Sequence, residues 1–289
     1  MKHTEHFLTK WHDCDPDLII RPSQVLMYMQ ECANRQCRAM ELDLDEIHER
    51  DNIGFIMSRI QVSIDAPLPP YIRIWVNTWC PPSRGYAFNR CFEIEYEGKV
   101  YARATSEWAL VNLADRTFIK AEDFPAAKEF PEDAAIERSE LPRRVRITSS
   151  AQLDEVGTRE VRYSDLDYNM HMNNTKYPDM LCDYVPDMLG KFVSGFSLSY
   201  LHEAAYGDVL TIFRAESENG YLFRVVNQDG KTCMEKLGDR VKTLHIHDND
   251  GDKDRHWVPG TGVIDFYDFY KALKEIDFDG VYSLELDEP

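Results

Sequence analysis

The sequence lacks any apolar run approaching the roughly 18 residues that a membrane-spanning helix requires, so no such helix is expected. It also lacks a C-x-x-C pair. The seven cysteines, Cys14, Cys32, Cys37, Cys80, Cys91, Cys182 and Cys233, are odd in number and do not follow the spacing of a secreted disulfide scaffold. Free thiols in a reducing compartment are the expectation. Basic residues are scarce: 33 Lys and Arg stand against 51 Asp and Glu, a formal net charge of −18. That balance opposes sequence-independent nucleic-acid binding, which needs a basic surface to displace phosphate counterions. The opening residues, MKHTEHFLTKWHDCDPD, carry charges and no apolar core, unlike a secretory leader. With no span and no leader, a cytoplasmic protein is expected. What remains is a chain of 289 residues, 43% hydrophobic and 29% charged. It is long enough to bury a substantial core and favours two domains of ordinary size.

The chain contains a repeat. WHDCDPDLIIRPSQV from Trp11 aligns without gaps on YSDLDYNMHMNNTKY from Tyr163. Each copy leads into apolar residues at helical spacing, Val25, Leu26, Met29 and Ala33 in the first and Tyr177, Met180, Leu181 and Tyr184 in the second. Strand-like segments follow both: FIMSRIQVSID, YIRIWVNTW, AFNRCFEIEYEGK and VYARATSEWALV, then GFSLSYLHEA, DVLTIFRAES and YLFRVVNQDGK. The turns EGK and DGK fall in matching places. This pattern predicts an α+β fold in which an antiparallel sheet wraps a central helix, built twice. The expected division is an N-terminal domain over 1–120, a charged, proline-bearing linker over 121–150, a second and catalytic domain over 151–236, and an appendage over 237–289.

SDLDYNMHMNNTKY, with RPSQVLMYMQECA, IMSRIQVSI and ATSEWALVNLADRTF in the first half, resembles the acyl-acyl carrier protein (acyl-ACP) thioesterases over about residues 4–230. The resemblance implies a tandem (double) hotdog fold and hydrolysis of fatty acyl-ACP, with acyl-CoA as the neighbouring substrate. It calls for no cofactor, takes acyl carrier protein as partner, and leaves a homodimer open. It also implies the catalytic set Asp167, Asn169, His171 and Glu203. Beside Glu203 stands Ala204, where many plant members have a cysteine, so a covalent cysteine mechanism is not expected.

The residue types suit the chemistry. Thioester hydrolysis needs a positioned water, a base and a donor for the developing oxyanion. In an extended segment, a spacing of two would place Asp167, Asn169 and His171 on one face at the entry to a helix. Asn169 is then expected to polarise the carbonyl, His171 and Glu203 to activate water, and Asp167 to orient the imidazole. Turn-building Asp and Asn with an ordinary histidine is the bland alternative. Against it, the first copy has Asp15, Asp17 and Ile19 at these places and Ala66 opposite Glu203. Met27, Phe55, Met57, Trp75 and Trp79 are candidates for an acyl cavity, or plain core. Arg143, Arg144 and Arg146, with Arg116 and Lys120, form either a local basic patch for the acidic carrier protein or a solvated linker edge.

From about Lys236 the pattern changes. The segment GDRVKTLHIHDNDGDKDRHWVPGTGVIDFYDFYKALKEIDFDGVYSLEL resembles the end of xylose-isomerase-like TIM barrels: strand VKTLHIH, a loop, helix FYDFYKALKEI and strand VYSLEL. In that superfamily His245, Asp254, His256 and Glu285 fall on metal-site positions, which raises the alternative of a metal-dependent sugar isomerase or epimerase. A barrel needs eight strands, and its site draws on several of them. The tail is therefore expected to be a fusion remnant, or an appendage in which VKTLHI replaces a lost hotdog strand, or an adventitious metal binder through His245, His247, Asp254 and His256.

Overall fold

The computed structural model describes residues 2–42, 44–83, 85–124, 147, 152–217, 220–230, 243–246 and 281–284. The chain divides into two compact units, Met1–Asp208 with Ile212–Arg224, and Val209–Thr211 with Val225–Pro289.

The first repeat begins with β1 (His3–Leu8) and runs through α1 (Pro22–Ala39), α2 (Leu44–Asp51), β2 (Ile53–Ile64), β3 (Arg73–Trp79), β4 (Phe88–Tyr96), β5 (Lys99–Asn112) and the short β6 (Phe118–Ile119). Proline at the first turn of α1 supplies a fixed φ and loses no helical hydrogen bond. Val25, Leu26, Met29, Cys32 and Ala33 then share one stripe and pack on Met57, Ile60, Ile74, Val76, Phe92 and Ile94 from the sheet. Leu26 and Met29 are fully buried. Leu26→Ala is expected to lower unfolding free energy by about 2–5 kcal/mol, read from denaturant melts. Between β4 and β5 the chain reverses at Glu97 and Gly98, both at positive φ (49° and 73°), the hairpin chemistry expected of EGK.

The second repeat comprises β7 (Asp154–Glu160), α3 (Lys176–Cys182), β8 (Gly195–Ser199), β9 (Val209–Ser217) and β10 (Gly220–Val226). One sheet has the order β1-β3-β4-β5-β2-β8, with β6 on β5, and another the order β10-β9-β7. Strand β8 thus joins the first repeat's sheet, antiparallel to β2. The close approach requires a glycine: a Cβ on Gly195 would stand 2.8 Å from the Val62 carbonyl oxygen.

Four elements differ from expectation. Strands β1 and β7 open the two repeats at equivalent places, yet neither stands out as strand-like in sequence. Helix α2, from LDEIHERD, is too polar and short for periodicity to mark it; only Ile47 is buried. Helix α3 is shorter than the apolar spacing through Tyr184 suggests. It stops at Cys182 because Pro186 lacks an N–H and keeps the residue before it out of helical space, and the chain continues in turns from Tyr184 to Leu181 and Val185 to Cys182.

In the tail, β11 (Thr243–Ile246) pairs in parallel with β12 (Val281–Leu284), His245 lying opposite Ser283. Both expected strands are present in part. Among the described residues the ladder of VKTLHI is with β12. The expected loop and helix, with His247, Asp254, His256 and Glu285, lie outside the described residues.

Candidate active site

The loop that carries Asp167, Asn169 and His171 is not an extended segment. It is a tight turn, and it is built twice. In the second repeat the Asp167 N–H donates to the His171 carbonyl at 2.9 Å and the Met170 N–H to the Asp167 carbonyl at 3.1 Å. In the first repeat the Asp15 N–H donates to the Ile19 carbonyl at 2.8 Å and the Leu18 N–H to the Asp15 carbonyl at 3.1 Å. Leu18 and Met170 occupy the same left-handed conformation, φ 61° and 64°. Bridges Cys14–Ile20 and Leu166–Met172 close the two turns.

This geometry gives Asp167 a part in building the turn. Its Oδ1 accepts the backbone N–H of Asn169 at 2.8 Å and that of His171 at 3.4 Å. Asp15 does the same for Asp17 and Ile19, both at 3.0 Å. A carboxylate with the same bonds in both copies is building the turn, as Asp does when it caps amides two and four residues on. The positive end of a helix is also not at hand, since α3 begins five positions beyond His171. Asp15→Ala and Asp167→Ala are each expected to cost about 1–2 kcal/mol of stability. Only the second is expected to lower turnover, by at least about 10-fold; thermal melts and a thiol-release assay separate the two effects.

His171 and Glu203 are brought together. The Met172 N–H donates to the Ala204 carbonyl at 2.8 Å, and a bridge joins His171 to Ala205, so the histidine runs alongside the segment that holds the glutamate. Nε2 of His171 lies 3.6 Å from Oε2 of Glu203, with side-chain exposures of 26% and 35%. That separation is beyond a direct hydrogen bond, in a site open enough to admit water and substrate. In the first repeat the equivalent bond runs from Ile20 to the Leu68 carbonyl. It places Pro67, and not Ala66, opposite Glu203. Ile19 and Pro67 offer no acid or base, so the acid–base pair exists in one copy of a twice-built loop. Asn169 is exposed.

One member of the site was not expected there. Nη1 of Arg116, in the turn between β5 and β6, lies 2.9 Å from the same Oε2 of Glu203. Sequence groups Arg116 with basic residues near the linker; in the fold it faces the glutamate. The ion pair spans 87 positions in sequence, and no local pattern reports it. Lys120 instead stands over the Tyr86 ring, and Arg143, Arg144 and Arg146 lie outside the described residues.

A cavity of about 300 Å³ borders the first loop and is lined by Asp15, Asp17, Ile19, Ile20, Pro67 and Leu68 among others. It lies beside the copy that has no His–Glu pair. A smaller one of about 90 Å³ lies in the first repeat among Cys37, Leu44, Phe55, Phe88 and Trp108. Of the residues expected to line an acyl cavity, Phe55 borders this one. Met57 and Trp79 are buried, and Trp75 is 43% exposed. Burial, with the negative charge of Asp179 and Asp183, pushes the Cys182 thiol up to about 11, so it is not a ready nucleophile at neutral pH. Beside Glu203 the residue is Ala204, 4% exposed. Among the described residues no cluster of His, Cys, Asp or Glu could hold a metal; of the tail's candidate ligands, only the backbone of His245 is described.

The family profile for the acyl-ACP thioesterase N-terminal domain matches residues 1–125. A solved acyl-ACP thioesterase from Bacteroides thetaiotaomicron superposes with a TM-score of 0.68 at 25% identity, covering 78% of this chain and 92% of that one. This chain has the double-hotdog fold of the acyl-ACP and acyl-CoA thioesterase family. The antiparallel sheets wrapped around central helices, expected from the repeat, are those of this fold. A chloroplastic dodecanoyl-ACP hydrolase from Cinnamomum camphora is 24% identical over 234 residues, 74% of this chain. The chain spans 60% of that relative's length. Curated plant relatives of the double hotdog are chloroplastic, which overturns the expectation of a cytoplasmic protein. The profile for the xylose isomerase-like TIM barrel matches residues 219–289. There the chain is 40% identical over 52 residues to an uncharacterized protein of Methanocaldococcus jannaschii, 18% of each chain. The described residues contain no helix long and apolar enough to cross a membrane.

Proposed function

We propose that this chain hydrolyses fatty acyl-ACP thioesters to free fatty acid and carrier protein, with activated water as the nucleophile. The observation that carries the proposal is the pairing of His171 with Glu203 at 3.6 Å on a loop whose twin has Ile19 and Pro67. A scaffold that folds without the pair in one copy retains it in the other for chemistry.

In this reading His171 is the general base. Its Nε2 faces Glu203, which leaves Nδ1 to take the proton from water as its oxygen bonds to the carbonyl carbon; the tetrahedral intermediate then breaks its C–S bond, and the departing thiolate takes that proton from the imidazolium. Glu203 then orients the ring and stabilises the imidazolium that forms, the part first given to Asp167. Asn169, with backbone N–H groups of the turn, polarises the thioester carbonyl and stabilises the oxyanion. Asp167 holds the turn that presents both. The apolar side chains of the first repeat form the shell around the acyl chain. The first repeat over 1–120 supplies that shell, residues 121–150 link, 151–236 carry the chemistry, and 237–289 take no part in it. A matched fragment of a barrel does not supply eight strands, so an isomerase is not proposed.

The test is thiol release from a panel of acyl-ACP and acyl-CoA substrates, with and without chelator. Turnover of acyl-ACP that a chelator leaves unchanged is expected. Turnover confined to acyl-CoA would reassign the substrate, and turnover lost on chelation would overturn the proposal.

A further inference from the structure

We infer that Arg116 is a positioning residue for the second repeat's acid–base pair, so that the active site is completed by a hairpin of the first repeat. The inference rests on the thioesterase reading for its kinetic test and on geometry alone for its structural one. Glu203 is the group to be held, because its Oε2 is the atom nearest His171 and also the atom that Arg116 takes at 2.9 Å. A carboxylate on an open surface has several rotamers of similar energy. One charge-assisted hydrogen bond from a guanidinium selects among them, and it is stronger than a neutral one.

The hairpin is built to aim this side chain. Arg116 sits at φ 60°, a left-handed conformation in which a non-glycine residue is strained. Hydrogen bonds on either side hold it there. The Asn112 N–H donates to the Thr117 carbonyl at 2.9 Å and the Leu113 N–H to the Asn52 carbonyl at 2.8 Å. Asp115 Oδ1 accepts the Thr117 N–H at 3.0 Å and its hydroxyl at 2.7 Å. Those two bonds hold the Asp115 carboxyl below its ordinary range. The turn is therefore fixed to β5, and Arg116 is its projecting cation.

With Arg116 on Oε2, the oxygen that faces His171, the carboxylate is held beside the imidazole. Arg116→Ala is expected to lower kcat by about 10- to 100-fold with KM changed by less than about 3-fold. Arg116→Lys restores part of the loss, and added guanidinium restores part of the activity of Arg116→Ala. In a Glu203→Gln background, Arg116→Ala has little further effect, since the two act as a unit. Additive losses, or no response to guanidinium, would overturn the inference.

The second arm needs no turnover: crystal structures of the full chain with Arg116 and with Arg116→Ala. The Glu203 carboxylate is expected to leave its place beside His171 in the variant; an unmoved carboxylate would overturn the positioning role. A chain that hydrolyses no thioester fails the functional reading, and this arm still decides the role of Arg116.

Discussion

Replacing His171 by isoleucine is expected to lower kcat by about 10²- to 10⁴-fold, the usual contribution of a general base, while leaving the thermal midpoint nearly unchanged. Isoleucine is chosen because the molecule already contains it at that place. Ile19 occupies the equivalent position of the first loop, with the same hydrogen bonds to Asp15 that His171 makes to Asp167. The substitution thus copies one repeat into the other, and loss of activity cannot be laid to loss of the turn. KM should change little, because the imidazole is asked to act in the transition state. A variant that keeps near-normal turnover would remove His171 from the mechanism.

Glu203→Gln is expected to lower kcat by about 10²- to 10³-fold. Glutamine keeps the length and planarity of the side chain and removes the charge that stabilises the imidazolium. The side chain is 35% exposed and paired with Arg116, so stability should change little; surface ion pairs contribute about 0–1 kcal/mol. The comparison with Glu203→Asp is informative. Aspartate keeps the charge but retracts it from both Arg116 and His171, so activity close to that of the glutamine variant would mean that placement matters as much as charge. Wild-type turnover by Glu203→Gln would leave His171 acting without a carboxylate.

Much of this is legible in the sequence because the repeat can be aligned without gaps. The turn at Asp15 and Asp167 depends on bonds within five residues, so it survives as pattern, and the helix after it is marked by Val25, Leu26 and Met29. The same alignment also contains the correction. Asp15 and Asp167 are identical in the two copies, which marks them as architecture. Asp17 against Asn169 and Ile19 against His171 differ, and the fold adds Pro67 opposite Glu203 where the sequence alone set Ala66; in the proposed reading the second set serves chemistry. What differs between repeats is a better guide to function than the presence of a polar residue.

Other features are not legible. Arg116 reaches Glu203 only through folding of the β5–β6 hairpin against the second repeat, and a lone arginine in LADRTF carries no sign of it. Helix α2 and strands β1 and β7 are short and mixed in character, so their structure is set by partners that sequence does not name. The shortening of α3 was encoded, in Pro186, but the apolar spacing of Tyr177, Met180, Leu181 and Tyr184 pointed the other way. The tail teaches a different lesson. Its match to a xylose isomerase-like TIM barrel covers residues 219–289, and a ligand set is a property of the closed barrel and not of one segment.

The most direct measurement is thiol release from fatty acyl-ACP by the full chain, run beside His171→Ile with chelator present throughout. The account predicts hydrolysis by the wild-type chain that chelator does not reduce, and its loss by about 10²-fold or more in the variant. Absence of hydrolysis across the acyl panel, or equal rates for the two proteins, would contradict it.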